Sequence, residues 1–138
     1  MSQLEFPEDR LIVDGLRETI AGLTSIYRFG STVYGVPSAE SDIDIAVYAG
    51  RSVPMPAWFS AVEVLSTRLQ REVDLLDLTL ASPVLALQAI TRGRLLLDLD
   101  ASARLDFEGR VLGEYARLNE QRRGILQRIA TEGTVYGR

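Results

Sequence analysis

Asp42 and Asp44 stand one residue apart at the start of an apolar run, and ten residues separate them from a Gly30-Ser31 pair in the stretch "YRFGSTVYGVPSAESDIDIAVY". Successive side chains of a strand alternate between its faces, so both carboxylates project from one side. Two anions that near each other are unfavourable unless a cation lies between them. Asp74 lies between Val73 and Leu75 in the other apolar run with embedded acids, "EVDLLDL". If the two runs are neighbouring strands, three carboxylates converge, a donor set suited to one or two magnesium ions. Gly30 lets the backbone turn tightly and approach a ligand without a Cβ in the way. Amides of such a turn, with the Ser31 hydroxyl, can donate to phosphate oxygens. Taken together, these residues describe a nucleoside-triphosphate site.

The elements that must hold these residues are legible from periodicity. Leu11, Ile12, Gly15, Leu16, Ile20 and Leu23 recur at a helical period between Pro7 and about Gly22. Ser25 to Phe29 reads as a short strand ending at the Gly-Ser turn, and Val36-Pro37-Ser38 as turn chemistry. Ile43, Ile45 and Val47 alternate with Asp42, Asp44 and Ala46 as in a half-buried strand. A loop over Gly50–Pro56 leads to a helix over Ala57–Arg71, then a strand over Glu72–Leu80. Ser82-Pro83 caps a third helix that Gly93 closes, Arg94–Leu99 forms a last strand, and the chain is helical from about Ala101 to Thr131. The expected fold class is therefore α/β (α+β): a small mixed sheet packed with helices, plus a long C-terminal helix. One domain over 1–138 is expected, with a core of about 7–100. Phe107, Val111, Tyr115, Leu118, Ile125 and Ile129 form a stripe that lays the last helix on the sheet; its far end is also a possible partner-binding element.

Composition narrows the chemistry. The chain has no cysteine, hence no disulfide framework or thiolate metal site, which fits a reducing cytoplasm. It has no histidine, which excludes an imidazole base, a catalytic triad and a His-ligated zinc. All 15 cationic residues are arginine, so no lysine nucleophile or P-loop lysine is available. A formal charge of −4 argues against a general nucleic-acid binder. No apolar run reaches membrane-spanning length, and no basic-then-apolar signal opens the chain.

"GSTVYGVPSAESDID" resembles the GS-x10-D-x-D signature of polymerase-β-type nucleotidyltransferases, including the Gly35 and Ser41 positions frequent in their minimal group. "VDLLDL" resembles the strand carrying that family's third acid, with Asp74 at the matching position, and the similarity spans roughly Tyr27 to Asp100. In size and layout the chain is most similar to the MntA-like adenylyltransferase antitoxins of HEPN/MNT toxin–antitoxin modules. The resemblance implies transfer of AMP from ATP, with pyrophosphate leaving, to a tyrosine hydroxyl of a HEPN-type ribonuclease toxin. It implies that Asp42 and Asp44 ligate Mg2+, that Asp74 ligates one ion and helps deprotonate the incoming hydroxyl, and that Gly30, Ser31 and Ser41 belong to the nucleotide site. One departure stands out: where many minimal members carry basic residues after the Gly-Ser pair, this chain has Thr32-Val33-Tyr34. Arg28 or Arg51 is then expected to balance the phosphates. Two alternatives stay open: transfer to a small-molecule hydroxyl, as in antibiotic nucleotidyltransferases, and a non-catalytic antitoxin that neutralises by binding alone.

Other residues have plainer readings. Asp77 is out of parity with Asp74 and is expected at a solvated strand end. Asp98 and Asp100 copy the D-x-D spacing without a Gly-Ser turn before them; Asp98 reads as a strand-end acid, and Asp100 or Ser102 as a helix cap. Tyr34 and Tyr48 flank the site and could stack on a base, although packing is their more common role. Trp58 reads as core, and the echo of "STVYG" in "GTVYG" at 133–137 as chance.

Overall fold

The computed structural model describes residues 4–35 and 41–132. The turn expected at 36–38 and the echo at 133–137 lie outside them. Helix α1 spans Pro7–Thr19, β1 Ser25–Phe29, β2 Ile43–Tyr48, α2 Met55–Leu69, β3 Val73–Asp77, α3 Pro83–Arg92, β4 Arg94–Asp98 and α4 Ala101–Glu132, with a 3-10 turn over Gly30–Thr32. The strands form one mixed sheet in the order β3-β2-β1-β4. β1 runs antiparallel to both β2 and β4, whereas β2 and β3 are parallel, joined by α2 as the crossover.

Each face of the sheet is covered by helices, as the apolar alternation requires. Ile26, Ile43, Ile45 and Val47 pack against Ile12 and Leu16 of α1 and Ala61 and Leu65 of α2. Tyr27, Phe29, Ala46 and Tyr48 face the other way, onto Ala86 and Ala89 of α3 and Phe107 and Val111 of α4. A register shift between Ile26 and Tyr27 lets both Leu96 and Leu97 of β4 join the first cluster. Leu11, expected on the buried stripe of α1, is exposed, and Val13 takes its place in the core.

Local chemistry explains the boundaries. The Ser82 hydroxyl accepts from the Leu85 amide at 3.3 Å and starts α3, and the Asp100 carboxylate accepts from the Ala103 amide at 3.1 Å and starts α4. β3 is shorter than the apolar run suggests because Asp77 ends it. That residue is buried, not solvated as expected: its carboxylate accepts from the Val53 amide at 2.8 Å and the Thr79 amide at 3.0 Å, tying the 50–56 loop to the strand end. Helix α4 is about 48 Å long at 1.5 Å per residue, far longer than a six-residue strand. Its stripe is buried at Phe107 and Val111, but Leu118 and Ile125 are exposed. Among the described residues no helix is long and apolar enough to cross a membrane.

Candidate active site

The parallel pairing of β2 and β3 sets Asp44 directly beside Asp74. Side chains of paired residues share a face, so the two carboxyls stand together on the α3/α4 side of the sheet. They lie at its end beyond Phe29, which pairs with Asp44 across β1. Asp42 is exposed just ahead of β2, and Asp74 is exposed on the edge strand, whereas Asp44 is only half-exposed.

The electrostatics follow from this placement. Burial pushes the Asp44 carboxyl above the ordinary carboxylate range, and the charge of Asp74, a hydrogen bond with Asp74 and the charge of Asp42 push it further. All three acids therefore act on one point, with Asp44 at the centre. They do not close into a finished cage: among the described residues no three acidic side chains already surround a common cation position. The donors are carboxylate oxygens only, the set a hard cation such as magnesium prefers, and the charges of Asp74 and Asp42 add to burial in raising Asp44. On those grounds Asp42, Asp44 and Asp74 fit Mg2+.

Gly30 fixes the other wall. Its φ is +78°, in the left-handed region, and a Cβ built on it would fall 2.1 Å from the Asp44 carboxylate oxygen. No other residue allows the turn to approach the acid so closely. From there the chain makes a compact 3-10 turn, with the Val33 amide donating to the Gly30 carbonyl at 3.2 Å and the Gly35 amide to the Thr32 carbonyl at 3.1 Å. Ser31 is exposed at the apex, while Thr32 is fully buried and its hydroxyl finds no partner among the described residues. Ser41 lies at the rim, its carbonyl accepting from Arg71 Nη1 at 3.3 Å.

The two arginines expected to balance phosphate are placed elsewhere. Arg28 is fully buried on the opposite face of the sheet and ion-paired to Asp9 at 2.9 Å and Glu8 at 3.1 Å. Arg51 lies past the far end of β2, more than about 13 Å along the strand from Asp44. Among the described residues a cation that reaches the rim is Arg71, just past the end of α2. Tyr48 is likewise remote: it stacks on Phe107 at 4.1 Å between ring centroids. Tyr34 is exposed beside the turn, with the Arg94 guanidinium 6.0 Å from its ring centre.

Behind the turn lies a feature the sequence reading missed. The Asp9 carboxylate accepts from Arg94 Nη1 at 2.7 Å, Arg94 Nη2 at 3.1 Å, Arg28 Nη1 at 2.9 Å and the amides of Glu5 and Phe6 at 3.0 Å each. Burial raises this carboxyl, but the hydrogen bonds from Arg94, the Phe6 amide and Arg28 outweigh it and hold it below the ordinary range. The signal was present: Asp9 shares a helical phase with Ile12, Val13 and Leu16, so it sits on the buried stripe of α1.

Residues 16–102 match the family described as polymerase beta, nucleotidyltransferase. The protein adenylyltransferase MntA of Shewanella oneidensis is 35% identical over 118 residues, covering 86% of this chain and 84% of that protein. A crystal structure of a toxin–antitoxin with AMP-PNP superposes with a TM-score of 0.75 at 34% identity, covering 88% of this chain and 98% of the other. A structure of a tri-AMPylated Shewanella oneidensis HEPN toxin in complex with MNT antitoxin gives a TM-score of 0.72 at 31% identity, over 89% of this chain and 96% of the other.

Proposed function

Because the chain belongs to the polymerase beta nucleotidyltransferase family, we propose that it transfers AMP from ATP to a tyrosine hydroxyl of a HEPN-type toxin and thereby acts as its antitoxin in the cytoplasm. The supporting observation within the molecule is the Asp44–Asp74 pair, packed against a glycine whose Cβ would collide with it. Outside it, the support is the likeness to an adenylyltransferase and to an antitoxin seen with an AMPylated toxin.

In this reading Asp42 and Asp44 hold Mg2+, Asp74 shares in holding it, and Gly30, Ser31 and Ser41 hold the nucleotide. Magnesium, when bound, neutralises phosphate charge and steadies the attacking and leaving oxygens of an in-line displacement. The tyrosine oxygen forms a bond to the α-phosphorus, the bond from that phosphorus to the β-bridging oxygen breaks, and pyrophosphate leaves. Asp74, exposed on the edge strand and open to an incoming protein, takes the hydroxyl proton. The Gly30–Ser31 turn receives the terminal phosphates through its amides and the Ser31 hydroxyl. The projecting half of α4, with Leu118, Ile125 and Leu126 exposed, is the element we assign to partner binding. Chain 1–138 works as one domain.

Co-expression with the HEPN-type protein of the same operon tests this. Intact mass spectrometry is expected to show added AMP on the partner, mapped to tyrosine, that disappears with Asp42→Asn or Asp44→Asn. A partner neutralised without any mass change, or modified equally by those variants, rejects the reading.

A further inference from the structure

Arg94 opens β4, and its neighbour in β1 is Arg28. Two arginines side by side on the covered face of a sheet are costly unless they are jointly neutralised, and Asp9 and Glu8 neutralise them. Arg28 is spent on those two acids within the described residues, whereas Arg94 reaches further. Its Nε and Nη2 both donate to the Val33 carbonyl, at 3.0 and 2.8 Å. Its Cζ lies 5.0 Å from the centre of the Phe6 ring, and the same ring sits where a Gly35 Cβ would touch it at 3.5 Å. The guanidinium is thus fixed from three sides: by a carboxylate, by a carbonyl of the turn and by an aromatic face.

The turn itself contributes little of its own rigidity. Among the described residues its internal hydrogen bonds are the two made by the Val33 and Gly35 amides, at 3.2 and 3.1 Å, and two of its residues are glycines with positive φ. Residues 32–34 carry no charge. Among the described residues, the side chain that holds the Val33 carbonyl comes from 61 residues further along the chain.

We propose that Arg94, locked by Asp9 and Phe6, is the positioning residue of the Gly30–Gly35 turn: it acts from behind the sheet, without touching the nucleotide, to keep the phosphate-receiving amides aimed at the Asp44 side. This inference rests on the turn being the phosphate-holding segment of an ATP-using enzyme. It places on β4 and α1 a function that the turn's own residues do not supply.

The experiment compares Arg94→Lys with Arg104→Lys. Arg104, on α4, is also largely sequestered and ion-paired, to Glu108 and to Asp98 at the other end of β4. Lysine keeps the charge and loses the planar fork. Amide hydrogen exchange in the ligand-free protein is expected to quicken about tenfold or more at Val33 and Gly35 in Arg94→Lys and to stay unchanged there in Arg104→Lys. With the partner protein as acceptor, KM for ATP is expected to rise about tenfold in Arg94→Lys while kcat stays within about threefold. Phe6→Leu, which leaves every ion pair of Arg94 in place and removes only the aromatic face, is expected to shift both readouts the same way by a smaller factor. Equal exchange at Val33 and Gly35 in all three variants overturns the proposal, as does a KM change shared by Arg104→Lys. The exchange arm does not involve catalysis, so it stands or falls separately from the assignment of AMP transfer, which Asp44→Asn tests.

Discussion

Two carboxylates flank one turn on opposite faces of the same sheet, and their surroundings could hardly differ more. Asp9, on the α1 side, is fully buried among two guanidiniums and two amides. Asp44, on the α3/α4 side, is half-exposed and faces Asp74 and Asp42. The first has its pKa lowered and the second raised. Burial alone pushes both upward, so the difference comes from the company each keeps: compensated charge builds a support, and uncompensated charge builds a place for a ligand. A cluster that lowers stability yet sits on a well-packed sheet is the expected mark of function.

The sharpest way to break this contrast is Asp44→Asn. Transfer to the partner is expected to fall about 10³-fold or more. The melting temperature of the ligand-free protein should nonetheless stay level or rise by roughly 1–3 °C, since a repelling charge is removed. A drop in melting temperature would mean that Asp44 is structural after all. Asp9→Asn should do the reverse, costing about 3–5 kcal/mol in urea denaturation because two buried guanidiniums lose their shared counter-charge. If Asp9→Asn is neutral, the support is not a support. Gly30→Ala strikes the boundary between the two regions. We expect a loss of about 1–3 kcal/mol from the positive φ and the clash with the Asp44 carboxylate, with transfer falling about 10²-fold.

A smaller effect separates the two acids by pH. Asp9 has a depressed folded value, so its contribution is present above about pH 3.9 and is lost as pH falls through that depressed value. Asp44 has a raised folded value, so its stabilising protonated form is present below about pH 3.9 and that contribution disappears as pH rises through the raised value. Melting curves of wild type and Asp44→Asn without divalent ions should therefore converge on acidification and diverge toward neutrality. At the bottom of the scale stands the exposed Arg68–Glu18 pair, 2.6 Å apart on the surface of α1 and α2. Arg68→Gln should change neither stability nor transfer measurably.

Much of this molecule could be read from its residues. β1 runs from Ser25 to Phe29 as the apolar run indicates, and the Ser82 cap and the start of α4 at Ala101 fall where local hydrogen-bond chemistry puts them. The side-by-side placement of residues 44 and 74 is a tertiary fact that parity alone could only make conditional, because strand order is not written in any one run. What escaped was charge in the interior. Arg28 looks like a phosphate ligand because it adjoins the Gly-Ser turn, yet its parity with Ile26 sends it to the α1 face. Asp77 looks solvated because it ends a strand, but the amide of Val53, 24 residues away in sequence, needs an acceptor there. Both errors treat a charged side chain as a surface side chain, a habit that fails wherever the chain supplies a partner from far along its length.

The parallel ladder between β2 and β3 carries one more implication. Val73 and Leu75 pack into the core on one side while Asp74 points to the other, so sliding β3 by a single position would expose both aliphatics and submerge the acid. Intermediate alignments are closed off by the oil beneath them. Loss of activity through damage to this region should therefore arrive in one step, as an abrupt failure of molecules and not as a gentle detuning of each.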